Sequence, residues 1–123
     1  MTEQIAHELL EKWIRVLRLQ EWEIRFNWCV DPKRMALPES MGCTSYNEVN
    51  RQALIEIADE ALHERRAMDF EFDYEQTLVH ELMHLKLSLL DDTNDPAQNR
   101  TVHILCDSLA RSLVEAKRGE ANC

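Results

Sequence analysis

The sequence predicts an α+β fold: an N-terminal helix, a small antiparallel sheet of about three strands, and two further helices. Three observations carry this. Apolar residues recur at helical spacing over residues 3–19 and again beyond residue 96. The stretch WEIRFNWCV, Trp22 to Val30, alternates apolar and polar side chains, as a strand with one buried face does. Between Asp73 and Leu90 lies a third apolar segment, with a helix-starting signal at one end and a turn at the other.

The elements follow in order. Ile5, Ala6, Leu9, Trp13, Val16 and Leu17 mark the buried stripe of the first helix, and His7 lies off that stripe, in solvent. In the first strand Trp22, Ile24, Phe26, Trp28 and Val30 share one face. A loop with Pro32 and Pro38 leads to two weaker strands, residues 41–47 and 52–58, and the polar NEVNR between them suits a hairpin. Residues 59–72 read as a short helix or a loop, with His63 exposed. Asp73 followed by Gln76 resembles a capping box and opens a helix that runs to about Leu90. DDTNDP breaks it. The last helix begins near Pro96 or Gln98, buries Val102, Leu105, Cys106, Leu109, Ala110, Leu113 and Val114, and ends around Lys117 to Gly119.

The chain has 123 residues, the ordinary size of one domain, so residues 1–123 are read as a single unit with enough core to need no staples. Its 45% hydrophobic and 30% charged content is that of a soluble globule. No apolar run is long enough for a membrane span, and MTEQIAHELLEKW is acidic and helical rather than a basic patch before an apolar stretch. The expectation is a cytoplasmic protein. A formal net charge of −9 argues against a nucleic-acid surface and against docking on anionic lipid. The four cysteines, Cys29, Cys43, Cys106 and Cys123, form no C-x-x-C pair, so free thiols are expected rather than a thiolate zinc knuckle.

The chemistry concentrates in TLVHELMHLKL, Thr77 to Leu87. His80 and His84 are four residues apart, one turn on one helical face, where two imidazoles can reach the same ion. Glu81 projects beside the first of them, as a general base would. This is H-E-x-x-H, the zinc metalloprotease pattern. Random orderings of this composition produce it in roughly 2% of cases, so the setting matters more than the pattern. Here Leu78, Val79, Leu82, Met83, Leu85 and Leu89 surround it, and polar groups on a buried helix need partners. One Zn2+ ion is the simplest partner.

A catalytic zinc takes three protein ligands and leaves one position open. Leu87 and Leu90 occupy the places of the Gly and third His in the extended H-E-x-x-H-x-x-G-x-x-H pattern, so the third ligand must come from a second helix. His103, at the edge of the last helix's buried stripe, is the leading choice. Asp107, one turn further on, either orients a ligating histidine or ligates directly. Asp91, Asp92 and Asp95 fall in the turn and read as helix-ending and capping residues rather than a calcium loop. Tyr46, Tyr74 and Arg100 are the side chains considered for stabilising an oxyanion, and none is singled out.

LRLQEWEIRF, QALIEIA, and TLVHELMHLKL followed by VHILCDSLARSL resemble the small zincin-like metallopeptidases found mainly in phage and prophage genomes. A more distant similarity is to SprT-like and minimal gluzincin-type domains. Together the stretches cover most of the chain, but only H-E-x-x-H is chemically specific. The resemblance implies a zincin-like fold in which His80, Glu81 and His84 match residue by residue. The family commonly has Glu or His near the place of His103. It implies hydrolysis of peptide bonds in a peptide or protein substrate, held as an added strand on a sheet edge. The alternative expectation is a zinc-bound but non-hydrolytic module that binds another protein, and a third is a coincidental motif without metal. Oligomeric state is left open.

Overall fold

The computed structural model describes residues 1–38, 40–63, 72–91 and 94–121. Helix α1 spans Glu3–Val16 and is capped by Thr2, whose hydroxyl accepts the Ile5 N–H at 3.2 Å. It stops short of the expected residue 19 because Arg18 takes a left-handed conformation, φ 56°. The N–H groups of Arg18 and Leu19 turn back to the carbonyls of Arg15 and Ile14, at 3.2 and 2.9 Å, the bond pair of a Schellman ending. Glycine usually fills that position, and its absence hid the stop signal. The buried stripe is Ala6, Leu10, Trp13 and Leu17, whereas Ile5 and Val16, expected inside, are exposed.

Strands β1 (Glu23–Val30), β2 (Gly42–Asn47) and β3 (Gln52–Ala58) form one sheet in the order β1-β3-β2. β2 and β3 are the expected antiparallel hairpin, in register from Gly42 opposite Ile57 to Asn47 opposite Gln52. β1, however, pairs with β3 in parallel, with Phe26 opposite Ile55. The sheet is therefore mixed, which corrects the all-antiparallel expectation. Residues 31–41 carry the chain from the end of β1, past the width of one strand, to the start of β2. The hairpin then folds β3 into the gap. Alternation reports which side chains face the core but not which strand lies alongside.

The register puts Ile24, Phe26, Gly42, Thr44, Tyr46, Ala53, Ile55 and Ile57 on the helix-facing side. The other side is partly covered by the loop after β1, where Met35 is buried and the Ala36 N–H donates to Glu56 Oε1 at 3.1 Å. β2 is left as an edge strand.

Helix α2 spans Tyr74–Lys86 and starts at the expected cap: Asp73 accepts the Gln76 N–H at 3.0 Å. A 3-10 turn, Ser88–Leu90, continues it to the expected end. Leu78, Val79, Glu81, Leu82, Met83 and Leu85 are all buried, but Leu89, expected among them, is exposed. Helix α3 spans Pro96–Ala121, its first turn capped by Asp95, which accepts from the N–H groups of Ala97 and Gln98 at 3.0 and 3.2 Å. It runs through Gly119, past the expected end. Its buried stripe is narrower than expected: Val102, Cys106, Ala110 and Val114 are inside, while Leu105 and Leu109 are more than a third exposed.

His63 is another correction. It is buried rather than exposed, at the end of a 3-10 turn, Glu60–Leu62, with its ring edge-on to Phe72. Residues 64–71, within the stretch read as helix or loop, lie outside the described residues, as do Asp92 and Cys123. Cys29, Cys43 and Cys106 are free thiols. No helix among the described residues is long and apolar enough to cross a membrane.

α2 is fastened to both other helices at its start. Glu75, buried, accepts from Trp13 Nε1 of α1 at 2.9 Å and pairs with Lys117 of α3. Arg118 completes the clasp with two bonds to Asp73, at 2.7 and 3.0 Å. Burial pushes the Glu75 carboxyl up, but the bonds from Lys117 and Trp13 and the charge of Arg118 outweigh it and hold the group below its ordinary value. Removing one partner of such a pair leaves the other uncompensated. Glu75→Ala should therefore cost about 3 kcal/mol in urea unfolding at neutral pH. The deficit should shrink under acid conditions, where the wild-type carboxylate is itself protonated.

Candidate metal centre

The spacing of His80 and His84 on α2 puts both rings on the helix face that meets α3, and α3 brings His103 against them. Ring centroids lie 5.2 Å apart for His80 and His84, 4.7 Å for His80 and His103, and 5.6 Å for His84 and His103. One ligand nitrogen from each falls within 4.8 Å of the others, so the three can hold a metal ion. Nitrogens around tetrahedral zinc stand roughly 3.4 Å apart for bonds of about 2.1 Å, so modest ring movement would close the set. His80 and His84 are half-buried and His103 is exposed, which leaves the cluster open on one side.

The surroundings keep the imidazoles of α2 neutral. Burial lowers the His80 pKa first, and His103 adds to this, against the opposing charge of Asp107. Burial, then His80 and His103, lower His84 to about 4. Near neutral pH both rings therefore keep the lone pair a metal needs.

Asp107 stands behind the cluster rather than in it. Its Oδ1 is 3.6 Å from His80 Nδ1, and its Oδ2 accepts from Arg111 at 3.2 Å. The carboxylate thus faces one ring nitrogen of His80 and favours a proton there, freeing Nε2. A cleft of about 440 Å³ opens beside His103, lined by Ile104, Asp107, Ser108, Arg111 and Glu115.

Glu81 reaches the edge strand with its carboxylate. It is only 6% exposed, and its Oε1 accepts from the Thr44 hydroxyl of β2 at 2.8 Å. Burial raises its pKa to about 7, against the opposing bond from Thr44. A carboxyl that titrates there can both take and return a proton at neutral pH. β2 approaches so closely because residue 42 is glycine: a Cβ there would stand 2.9 Å from Glu81 Oε2. Thr44 and Gly42 were not foreseen. A glycine inside a strand pattern, which often marks close backbone approach, was the available signal.

The remaining residues considered from sequence separate clearly. The Tyr46 hydroxyl, on the same face of β2, donates to Asp91 at 3.0 Å, and burial with that bond pushes the phenol up to about 12. Tyr74 accepts the Glu60 N–H at 3.0 Å, a bond that ties the 3-10 turn to α2. Arg100 is exposed on α3. His7 is exposed as expected, its ring edge-on to Phe26. Cys106 is fully buried, and burial, with Glu81 and Asp91 nearby, raises its thiol to about 12, so it packs as a neutral side chain.

Glu81 makes a prediction independent of catalysis. Its folded-state pKa of about 7 lies above the ordinary 4.5, so the folded metal-free protein keeps a proton that the unfolded chain releases. Stability from this group is therefore present at low pH and lost as pH rises through about 7. Glu81→Gln, which can still accept from Thr44, should stabilise the metal-free protein by about 2–3 kcal/mol at pH 8 and by less than about 1 kcal/mol at pH 5, read from urea unfolding of both proteins.

Comparison of the chain with models of known protein families, with curated proteins and with solved structures gives no match, so its functional reading rests on the geometry of this centre.

Proposed function

We propose that the chain is a zinc-dependent metallopeptidase of the zincin-like kind, with His80, His84 and His103 as ligands and Glu81 as general base. The observation that carries this is the pairing of two unlike environments on one helix turn. Three imidazoles converge where α2 meets α3, and the residue that follows the first of them is a buried carboxyl titrating near neutrality. Zinc is the metal this donor set suits, since neutral imidazoles are among its usual ligands and three of them leave a position open.

A zinc ion supplies Lewis acidity: it polarises a peptide carbonyl and makes water acidic near neutral pH. The protein's own part is proton handling. Glu81 takes a proton from the attacking water and delivers it to the leaving amine nitrogen as the C–N bond breaks, yielding a carboxylate and an amine.

The open edge of β2 suits an extended peptide. The Ala58 N–H donates to the Met41 carbonyl at 2.9 Å, and bonded pairs alternate along an antiparallel ladder. By that alternation Gly42, Thr44 and Tyr46 direct their N–H and C=O groups to the free edge, where a substrate strand would add. Their side chains lie on the α2 side, so the substrate backbone would run alongside Glu81.

A second reading is favoured by one feature: the ligands come from two helices. In it the metal only clips α2 to α3, and the surface serves another protein. Zinc-loaded wild type should cleave a fluorogenic peptide library or unfolded casein and lose that activity to a chelator. Glu81→Gln should keep one zinc per chain while kcat/KM falls about 10²–10⁴-fold. A zinc-loaded wild type that cuts nothing, yet melts at lower temperature on chelation, would favour the clip.

A further inference from the structure

A glutamate on a helix has three side-chain torsions, and fixing them costs up to about 2 kcal/mol of rotamer freedom. Something must hold Glu81 if it is to accept a proton from one direction. Two residues of the edge strand touch it, both far away in sequence and both on the α2 side of β2. Thr44 Oγ1 is 2.8 Å from Glu81 Oε1 and 3.1 Å from the Glu81 backbone carbonyl, so both oxygens are within reach of its one hydroxyl proton. Gly42 makes the opposite kind of contact. A Cβ built there would stand 2.9 Å from Glu81 Oε2, 2.9 Å from Thr77 Cγ2 and 3.0 Å from Glu81 Cγ, closer than a real Cβ sits. Its φ is not in the left-handed region. The glycine is required for room, not for backbone conformation.

We propose that Gly42 and Thr44 are the positioning pair for the general base. Thr44 holds one carboxylate oxygen and Gly42 leaves the volume in which the other stands. The two oxygens are thereby made different. Oε1 is held by the strand, and Oε2, which accepts no hydrogen bond from the described residues, is the atom that takes the proton. The same strand that would receive the substrate backbone thus sets the direction of its proton acceptor. A substrate strand that bonds the edge at Gly42 and Thr44 would be indexed to Glu81 without any contact to α2.

The proposal rests on the peptidase reading of Glu81, and its test separates the two. Thr44→Val removes the hydroxyl and keeps the shape. It should lower kcat about 10- to 100-fold with KM and zinc content within about twofold, because displacement of a reacting group by about 1 Å has that scale of effect. Thr44→Ser restores the donor and should recover most of kcat, which a merely structural threonine would not require. Gly42→Ala should retain zinc and lose kcat. Crystal structures of the zinc-loaded wild type and Thr44→Val provide a readout that needs no turnover. The Glu81 carboxylate should sit on Thr44 in the first and leave that position in the second. Wild-type kcat in Thr44→Val, or an unmoved Glu81 carboxylate in its crystals, would overturn the proposal. A wild type that binds zinc but cleaves no peptide would end the peptidase reading alone, and the two crystal structures would still decide whether Thr44 positions Glu81.

Discussion

A helix buried on nearly every side, yet carrying two carboxyls and two imidazoles, is the constraint around which this protein is arranged. α2 holds Glu75, His80, Glu81 and His84 within about three turns. Buried polar groups without partners destabilise a fold by amounts comparable to its whole net stability. Each neighbouring element answers one of them. α1 and the end of α3 meet Glu75 through Trp13 and Lys117. The middle of α3 sets Asp107 behind His80 and His103 beside both histidines. The edge strand meets Glu81 through Thr44. The three histidines are left with nitrogens facing one another, and a cation is a partner that three imidazoles can share.

The topology of the sheet follows the same logic. Because β3 lies between β1 and β2, the strand next to Glu81 has one edge that no other described strand pairs with. Had β2 been central, its backbone groups would all be paired and no extended chain could add beside the carboxylate. The crossing loop that makes this order possible also shields the far side of the sheet, where Met35 and Glu56 are buried. The Glu81 contact and this cover are thus on opposite faces of three strands.

Much of this was legible in the residues. The alternation from Trp22 to Trp28, the Asp73 and Gln76 capping pair, and the spacing of His80, Glu81 and His84 are local patterns, and local physics decides them. The register shift at Cys29, φ 57°, by contrast moves Val30, expected on the same face, to the other side of the sheet. That His103 lies beside the other two histidines was legible as well, from its place at the edge of the last helix's buried stripe. What was not legible depends on which segments meet. Nothing in β1 states that its neighbour runs parallel. Arg18 ends α1 without the glycine that advertises such a turn. His63 looks like a loop residue until Phe72 covers it. Thr44 is an ordinary strand threonine until the edge strand is laid against α2, and Gly42 is explained only by the Glu81 atoms a Cβ would strike.

Three imidazoles from two helices are proposed to hold one metal ion. X-ray absorption at the zinc edge, on protein loaded with one equivalent of zinc, measures this most directly. The expected spectrum has three imidazole nitrogens at about 2.0–2.1 Å with a lighter oxygen contribution, and loses one imidazole in His103→Ala. A first shell with sulfur or with only oxygens, or one unchanged by His103→Ala, would contradict it.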